Sequence, residues 1–138
     1  MSFIRLQVIT PHGILFDDEV DEFLVPTEQG PLSISPHYTN IVAACSHYGV
    51  LRTTKDGKHR YFAMFGGFLE VTPTGARILA EDLEDGYTID MARAIASRDR
   101  AQDRIANKDS KQDIVRAQAS LYRALTRIEA KQKSEGGY

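Results

Sequence analysis

Asp85-Gly86-Tyr87-Thr88-Ile89-Asp90 is the stretch on which the reading of this 138-residue chain turns. All five prolines and eight of the ten glycines lie at or before Gly86, and the other two glycines are Gly136 and Gly137. Residues 87–135 therefore contain neither breaker. Charge divides at nearly the same place: residues 1–88 carry 6 Lys+Arg against 12 Asp+Glu, residues 89–138 carry 11 against 7, and the net −2 resolves into −6 and +4. Two independent counts put a junction at Gly86 between a strand- and turn-rich body, residues 1–86, and a helical segment, residues 87–138.

Upstream of the junction, Ile4, Leu6 and Val8 alternate with Arg5 and Gln7, and similar runs follow around Val20 and Leu24 and over Leu51 to Thr54. These read as strands. Pro11-His12-Gly13, Gly30-Pro31, Lys55-Asp56-Gly57 and Pro73-Thr74-Gly75 supply reversals between them, with Asp56-Gly57 the best hairpin turn of the set. Many short antiparallel strands with no long helix among them predict a β-sandwich or a small barrel, and the pattern leaves both open.

Downstream, Thr88 is placed to cap a helix with Asp90 in its first turn, running to about Asn107; Ser110, with Asp113 three residues on, starts a second. The second helix carries Ile114, Ala117, Leu121, Leu125 and Ile128 as one stripe, and the first a weaker one of Ala92, Ile95, Ala96 and Ile105. At ~1.5–3 kcal/mol per buried aliphatic side chain, so few large residues barely offset the ~1.5 kcal/mol per residue lost on ordering. A two-helix hairpin that docks marginally, and can undock, is expected.

With 42% hydrophobic and 26% charged residues the chain is of ordinary globular composition, long enough to bury a core without a staple. The single cysteine, Cys45, ends the run Ile41-Val42-Ala43-Ala44 and reads as a buried small residue in a reducing compartment. The N-terminus lacks a basic segment followed by an apolar run, and no stretch approaches the ~18 apolar residues of a membrane span, so membrane association is expected only through a partner. The chain has no phosphate-binding loop, no nucleophile elbow and no Cys or His pair at metal-ligand spacing. His12, His37, His47 and His59 are scattered, and Asp17-Asp18-Glu19 with Asp21 and Glu22 reads as a solvated connection rather than a cation site. Neither catalysis nor a metal is indicated.

The arginines of the tail carry the one chemical pattern. Arg93, Arg100 and Arg104 on the first helix, and Arg116, Arg123 and Arg127 on the second, are spaced seven and four apart, each set a row on one helix face. A hairpin folded about residues 108 and 109 brings Arg93, Arg123 and Arg127 together near Glu84 and Asp90, with Arg100 ~10 Å further along. A triphosphate-sized anion fits that span, gripped by guanidinium forks. The blander reading is a solvated face paired to Asp99, Asp103 and Asp113.

Gly66-Gly67-Phe68-Leu69-Glu70-Val71, the stretch from Val25-Pro26 through Gly30 to Leu32-Ser33-Ile34, and Ile89-Asp90-x-x-Arg93-Ala94, in that spacing, resemble the epsilon subunit of bacterial F-type ATP synthase, called delta in mitochondria. The likeness covers the whole chain. It implies a ten-stranded antiparallel β-sandwich over residues 1–86, then an antiparallel helical hairpin over 87–138 with its last few residues disordered.

The function implied is that of a non-catalytic rotor subunit coupling proton flow to ATP synthesis. Its sandwich would bind the gamma subunit and the c-subunit ring, peripheral to the cytoplasmic face of the bacterial inner membrane. The hairpin would be a brake on ATP hydrolysis, extending toward the catalytic alpha and beta subunits when blocking. No cofactor is required, but ATP is implied as a regulatory ligand holding the hairpin compact. The matching positions are Glu84, Ile89, Asp90, Arg93, Ala94, Arg100, Arg123 and Arg127. Arg93 and Arg127 would take phosphates, Asp90 and Glu84 polar groups of the nucleoside, and Ala94 would allow close approach. One departure stands out: Pro36-His37-Tyr38-Thr39-Asn40 has tyrosine where the family's ring-contacting loop usually has histidine. The alternatives are an adaptor whose basic hairpin binds nucleic acid or an acidic protein, and a small hydrolase. An acidic body and the lack of a nucleophile with its base weigh against both.

Overall fold

The computed structural model describes residues 2–107 and 111–136. Ten strands come first: β1 (Ile4–Thr10), β2 (Gly13–Val20), β3 (Glu22–Thr27), β4 (Gly30–Ile34), β5 (Ile41–Ala44), β6 (Gly49–Lys55), β7 (Lys58–Phe65), β8 (Phe68–Thr72), β9 (Gly75–Leu79) and β10 (Asp82–Asp85). A 3₁₀ turn, Gly86–Thr88, leads into α1 (Met91–Asn107) and α2 (Lys111–Glu135). The strands form two five-stranded sheets, β2-β1-β9-β8-β5 and β10-β7-β6-β3-β4. Between the sheets lie Leu6, Val8, Leu69, Val71 and Ile78 from the first and Phe23, Val25, Leu51, Phe62 and Met64 from the second. Alternation along each strand supplies these residues, and the fold is a sandwich rather than a barrel.

Pairing is antiparallel with one exception. β1 runs parallel to β9, an arrangement that needs a long connection, and seven intervening strands provide it. The Asp56-Gly57 turn has both residues left-handed, at φ 53° and 76°, the two-residue geometry suited to strand twist. The reversal expected at Gly30-Pro31 is made two residues earlier by Glu28 and Gln29, and Pro31 lies in edge strand β4 opposite Pro26. An edge strand tolerates the missing N–H. At Gly67, φ is 114° and a Cβ would stand 2.8 Å from the Ala80 Cα, which explains sterically why the Gly66-Gly67 pair precedes β8.

Cys45 is 2% exposed, and burial pushes its thiol up to about 11. The folded protein is therefore expected to resist alkylation by iodoacetamide at pH 8, and one equivalent should react only after denaturation. Fast labelling of the native chain would contradict this burial.

The helices differ from expectation in three details. Asp90, not Thr88, caps α1: its carboxylate accepts from the Arg93 N–H at 3.1 Å. The 3₁₀ turn intervenes, and Thr88 closes it by donating its hydroxyl to the Asp85 carbonyl at 3.0 Å. The buried seam of α1 is Ala94 and Ala101, whereas Ala92 and Ala96 are exposed. On α2, Ala117, Ala124 and Ala130 are fully buried while Leu125 is 41% exposed. Alanine at seven-residue spacing lets the two helices approach closely; Ala117 alone of the stripe expected on α2 is fully buried, and Ala124 and Ala130 take places the stripe gave to larger aliphatics. The turn about residues 108–110, the Ser110 cap and the last two residues lie outside the described residues.

Candidate functional site

α2 lies across the outer face of the second sheet. Ala63 and Phe65 of β7 meet Ala130, Ala94 and Ile89, flanked by Tyr48, Val50 and Ile128. The Tyr48 and Tyr122 rings are 5.4 Å apart. At the end of α2 the 3₁₀ turn passes directly beneath the helix, and Lys131 donates to the Tyr87 carbonyl at 2.8 Å. The interface is thus a small apolar cluster with polar clamps at its rim.

Between edge strand β10, the 3₁₀ turn and the two helices opens a cleft of about 690 Å³. Glu84, Asp85, Thr88, Ile89, Asp90, Arg93, Ala94, Ser97, Arg100 and Arg127 line it. The fold therefore brings seven of the eight positions expected from the sequence to one place. Arg123 is the exception: its guanidinium sits 4.3 Å over the Phe65 ring and 4.0 Å from Asp82, outside the cleft lining. Geometry explains the split. On α2 the sheet-facing side carries Arg123, Arg127 and Ala130, and only Arg127 reaches the cleft edge.

Arg127 makes the strongest contact here. Its Nε and Nη2 donate to the Glu84 carboxylate at 2.8 Å each, with a third approach of 3.1 Å, leaving Nη1 outside that fork. The hydrogen bonds to Glu84 push the Arg127 guanidinium above its ordinary range, against burial, which pulls it down. Asp85 is occupied as well, accepting from Arg60 at 3.1 Å and from the Tyr87 N–H at 3.0 Å. Arg100 donates to Ser97 at 3.1 Å. Arg93 is exposed and forms no ion pair among the described residues. The cleft thus offers Arg93 and Arg100 on one wall and Arg127 on the other, an arrangement able to grip a polyanion. Ser97 and Thr88 were not anticipated, although Ser97 is four residues from Arg93 and three from Arg100 and so shares their helix face.

A second surface also escaped the sequence reading. Across the outer face of the first sheet, Ile14, Ile9, Leu79, Phe68 and Ala44 are successive partners on five strands. Ile14, Leu79 and Phe68 are 56%, 51% and 59% exposed. Two residues along the strands the same face is mostly polar: Asp17, Gln7, Arg77 and Glu70, ending in Val42. The signal was present as apolar residues on the solvent phase of the alternation. The Pro36-to-Asn40 loop places Tyr38 against the core and leaves His37 exposed with φ 67°.

Residues 3–86 match the family model described as ATP synthase, Delta/Epsilon chain, beta-sandwich domain, and residues 88–132 the corresponding long alpha-helix domain. The chain is 39% identical over 133 residues to the ATP synthase epsilon chain of Syntrophomonas wolfei, covering 96% of each. It is 36% identical to that of Bacillus velezensis, covering 94% of this chain and 97% of the relative. Among solved structures, a chain of the Euglena gracilis mitochondrial ATP synthase OSCP/F1/c-ring complex superposes with TM-score 0.78 at 14% identity. That likeness covers 98% of this chain and 82% of the other and is one of fold.

Proposed function

The chain belongs to the ATP synthase delta/epsilon family, and we propose that it is the epsilon-type rotor subunit of the central stalk, transmitting rotation between the c-subunit ring and the catalytic head without catalysing a step itself. The apolar row on the first sheet supports this reading most directly. A stripe of Ile14, Ile9, Leu79 and Phe68 contributes nothing to the sandwich core, and such a patch bounded by polar residues fits a permanent partner, here the gamma subunit. The c ring would take the end carrying the Pro36-to-Asn40 loop, where Tyr38 replaces the usual histidine. The alpha and beta subunits would meet the hairpin when it extends. Among the described residues no helix is long and apolar enough to cross a membrane, so attachment at the cytoplasmic face would come through the complex.

Copurification tests the assignment. The chain should capture its gamma subunit from a co-expressed pair, and Phe68→Glu with Leu79→Glu should reduce capture at least tenfold while leaving the fold intact. Undiminished capture by that variant would move gamma to another surface.

Regulation would lie in the cleft. ATP bound between Arg93, Arg100 and Arg127 would bridge α1 to α2 and β10, and so hold the hairpin against the sandwich. No metal or other cofactor is part of this reading. Calorimetric titration of the isolated chain with ATP should show micromolar-to-millimolar binding, and no heat up to several millimolar would remove ATP from the proposal. An adaptor role for the basic hairpin is disfavoured because Arg123 and Arg127 are turned inward onto Asp82 and Glu84 instead of toward an outside polyanion.

A further inference from the structure

On β10 the carboxylates of Asp82 and Glu84 stand two residues apart, on the side that faces α2. On α2 Arg123 and Arg127 stand four apart. Two residues of strand span ~6.6 Å and four of helix ~6 Å, so the two spacings match in register. Both acid–arginine pairs form, Glu84 with Arg127 at 2.8 Å and Asp82 with Arg123 at 4.0 Å. Beneath them the Phe65 ring lies 4.3 Å from the Arg123 guanidinium and 5.5 Å from that of Arg127. In the tighter pair both side chains are about seven-tenths buried, at 30% and 28% exposure, where a bidentate fork is screened little.

We propose that this ladder is a built-in clasp: the sandwich supplies its own anions to the arginines of α2 and holds the hairpin docked with no ligand present. Glu84 is then a positioning residue. It occupies the Nε and Nη2 edge of Arg127 and leaves Nη1 for the cleft, so it acts on a bound phosphate through Arg127. Only this second role rests on the nucleotide reading; the clasp stands without it.

A double-mutant cycle on the full-length, ligand-free chain tests the clasp. Alanine methyl groups are labelled with ¹³C and followed through a urea titration. Ala63, Ala94 and Ala130 report the sheet–helix cluster, and Ala76 and Ala80 report the sandwich core. Glu84→Gln is expected to lower the docked-to-undocked ratio roughly tenfold to a hundredfold, the scale of a lost charge-assisted pair, with the Ala76 and Ala80 transition unmoved. Arg127→Gln should do the same, and the double variant should be little worse than either single one. An unshifted hairpin transition in Glu84→Gln, or two single effects that simply multiply, would overturn the clasp. The nucleotide reading fails separately, by absence of ATP binding in a chain whose hairpin still responds to Glu84→Gln.

Discussion

Gly86→Ala is expected to lift α2 from the sheet while the sandwich stays folded. Gly86 is the point where the turn leaving β10 passes under the helix. A Cβ there would stand 2.6 Å from the Ala130 carbonyl oxygen and 2.8 Å from that of Tyr61, and would also run into Ser134 Oγ. Truncating Ser134 relieves only the side-chain contact. The two carbonyls belong to α2 and β7, so relief requires the helix and the strand to separate. Overpacking of this kind costs about 1–3 kcal/mol, and more when backbone cannot yield. The docked state rests on a small cluster of Ala63, Phe65, Ile89, Ala94 and Ala130 and has little in reserve.

The core between the sheets is untouched, so the effect divides cleanly. Loss of the Ala63 and Ala130 methyl shifts, with those of Ala76 and Ala80 retained, is the expected spectrum. A docked Gly86→Ala hairpin would mean that the turn slides sideways at little cost. Joint loss of both sets would mean that hairpin and sandwich fold as one cooperative unit. If the extended hairpin is the brake that the family resemblance implies, the same substitution in the assembled complex should lower ATP hydrolysis.

Most of the sandwich was legible because its determinants are local. Asp56-Gly57 forms a hairpin from its own φ preferences, and Leu6, Val8 and Ile78 face inward because a strand alternates. What escaped was set between elements. Ala117 stood in the expected stripe and is buried, but Ala124 and Ala130 carry no hydrophobic signature of their own, and only close approach to the neighbouring elements buries them. Asp90 displaces Thr88 as cap because Gly86–Thr88 winds a 3₁₀ turn first, held by the Asp85 carboxylate on the Tyr87 N–H. The arginine rows were visible as spacings. That Arg127 would reach the cleft while Arg123 turned to Asp82 depended on the angle at which α2 crosses β7 and β10, which no spacing contains. Phe68 and Leu79 drew no reading for a different reason: an apolar residue at a strand position does not say which face of the sheet it takes, and only the register shows these two on the outside.

Removing the Arg93 side chain should weaken ATP binding roughly tenfold to a hundredfold, the scale of one charge-assisted contact to a phosphate. Arg93 is the informative position because it forms no ion pair among the described residues and has no part in the Glu84 fork. Arg93→Ala therefore tests the ligand site without disturbing ligand-free docking. Its backbone N–H still caps on Asp90, so α1 should start where it does now.

Arg127→Ala is expected to lose at least as much affinity, but by two routes: one phosphate contact goes, and so does the fork that holds the hairpin, so that fewer molecules present a formed cleft. The routes separate in urea. Without nucleotide, Arg93→Ala should match the unaltered chain and Arg127→Ala should undock earlier. With ATP at a hundred times its Kd for the unaltered chain, that chain gains about 2.7 kcal/mol of docking stability, and Arg93→Ala, binding ten- to a hundredfold more weakly, should forfeit roughly half to five-sixths of it. Unchanged affinity in Arg93→Ala would take that arginine out of the ligand site and leave the phosphate grip to Arg100 and Arg127, the other guanidinium groups lining the cleft.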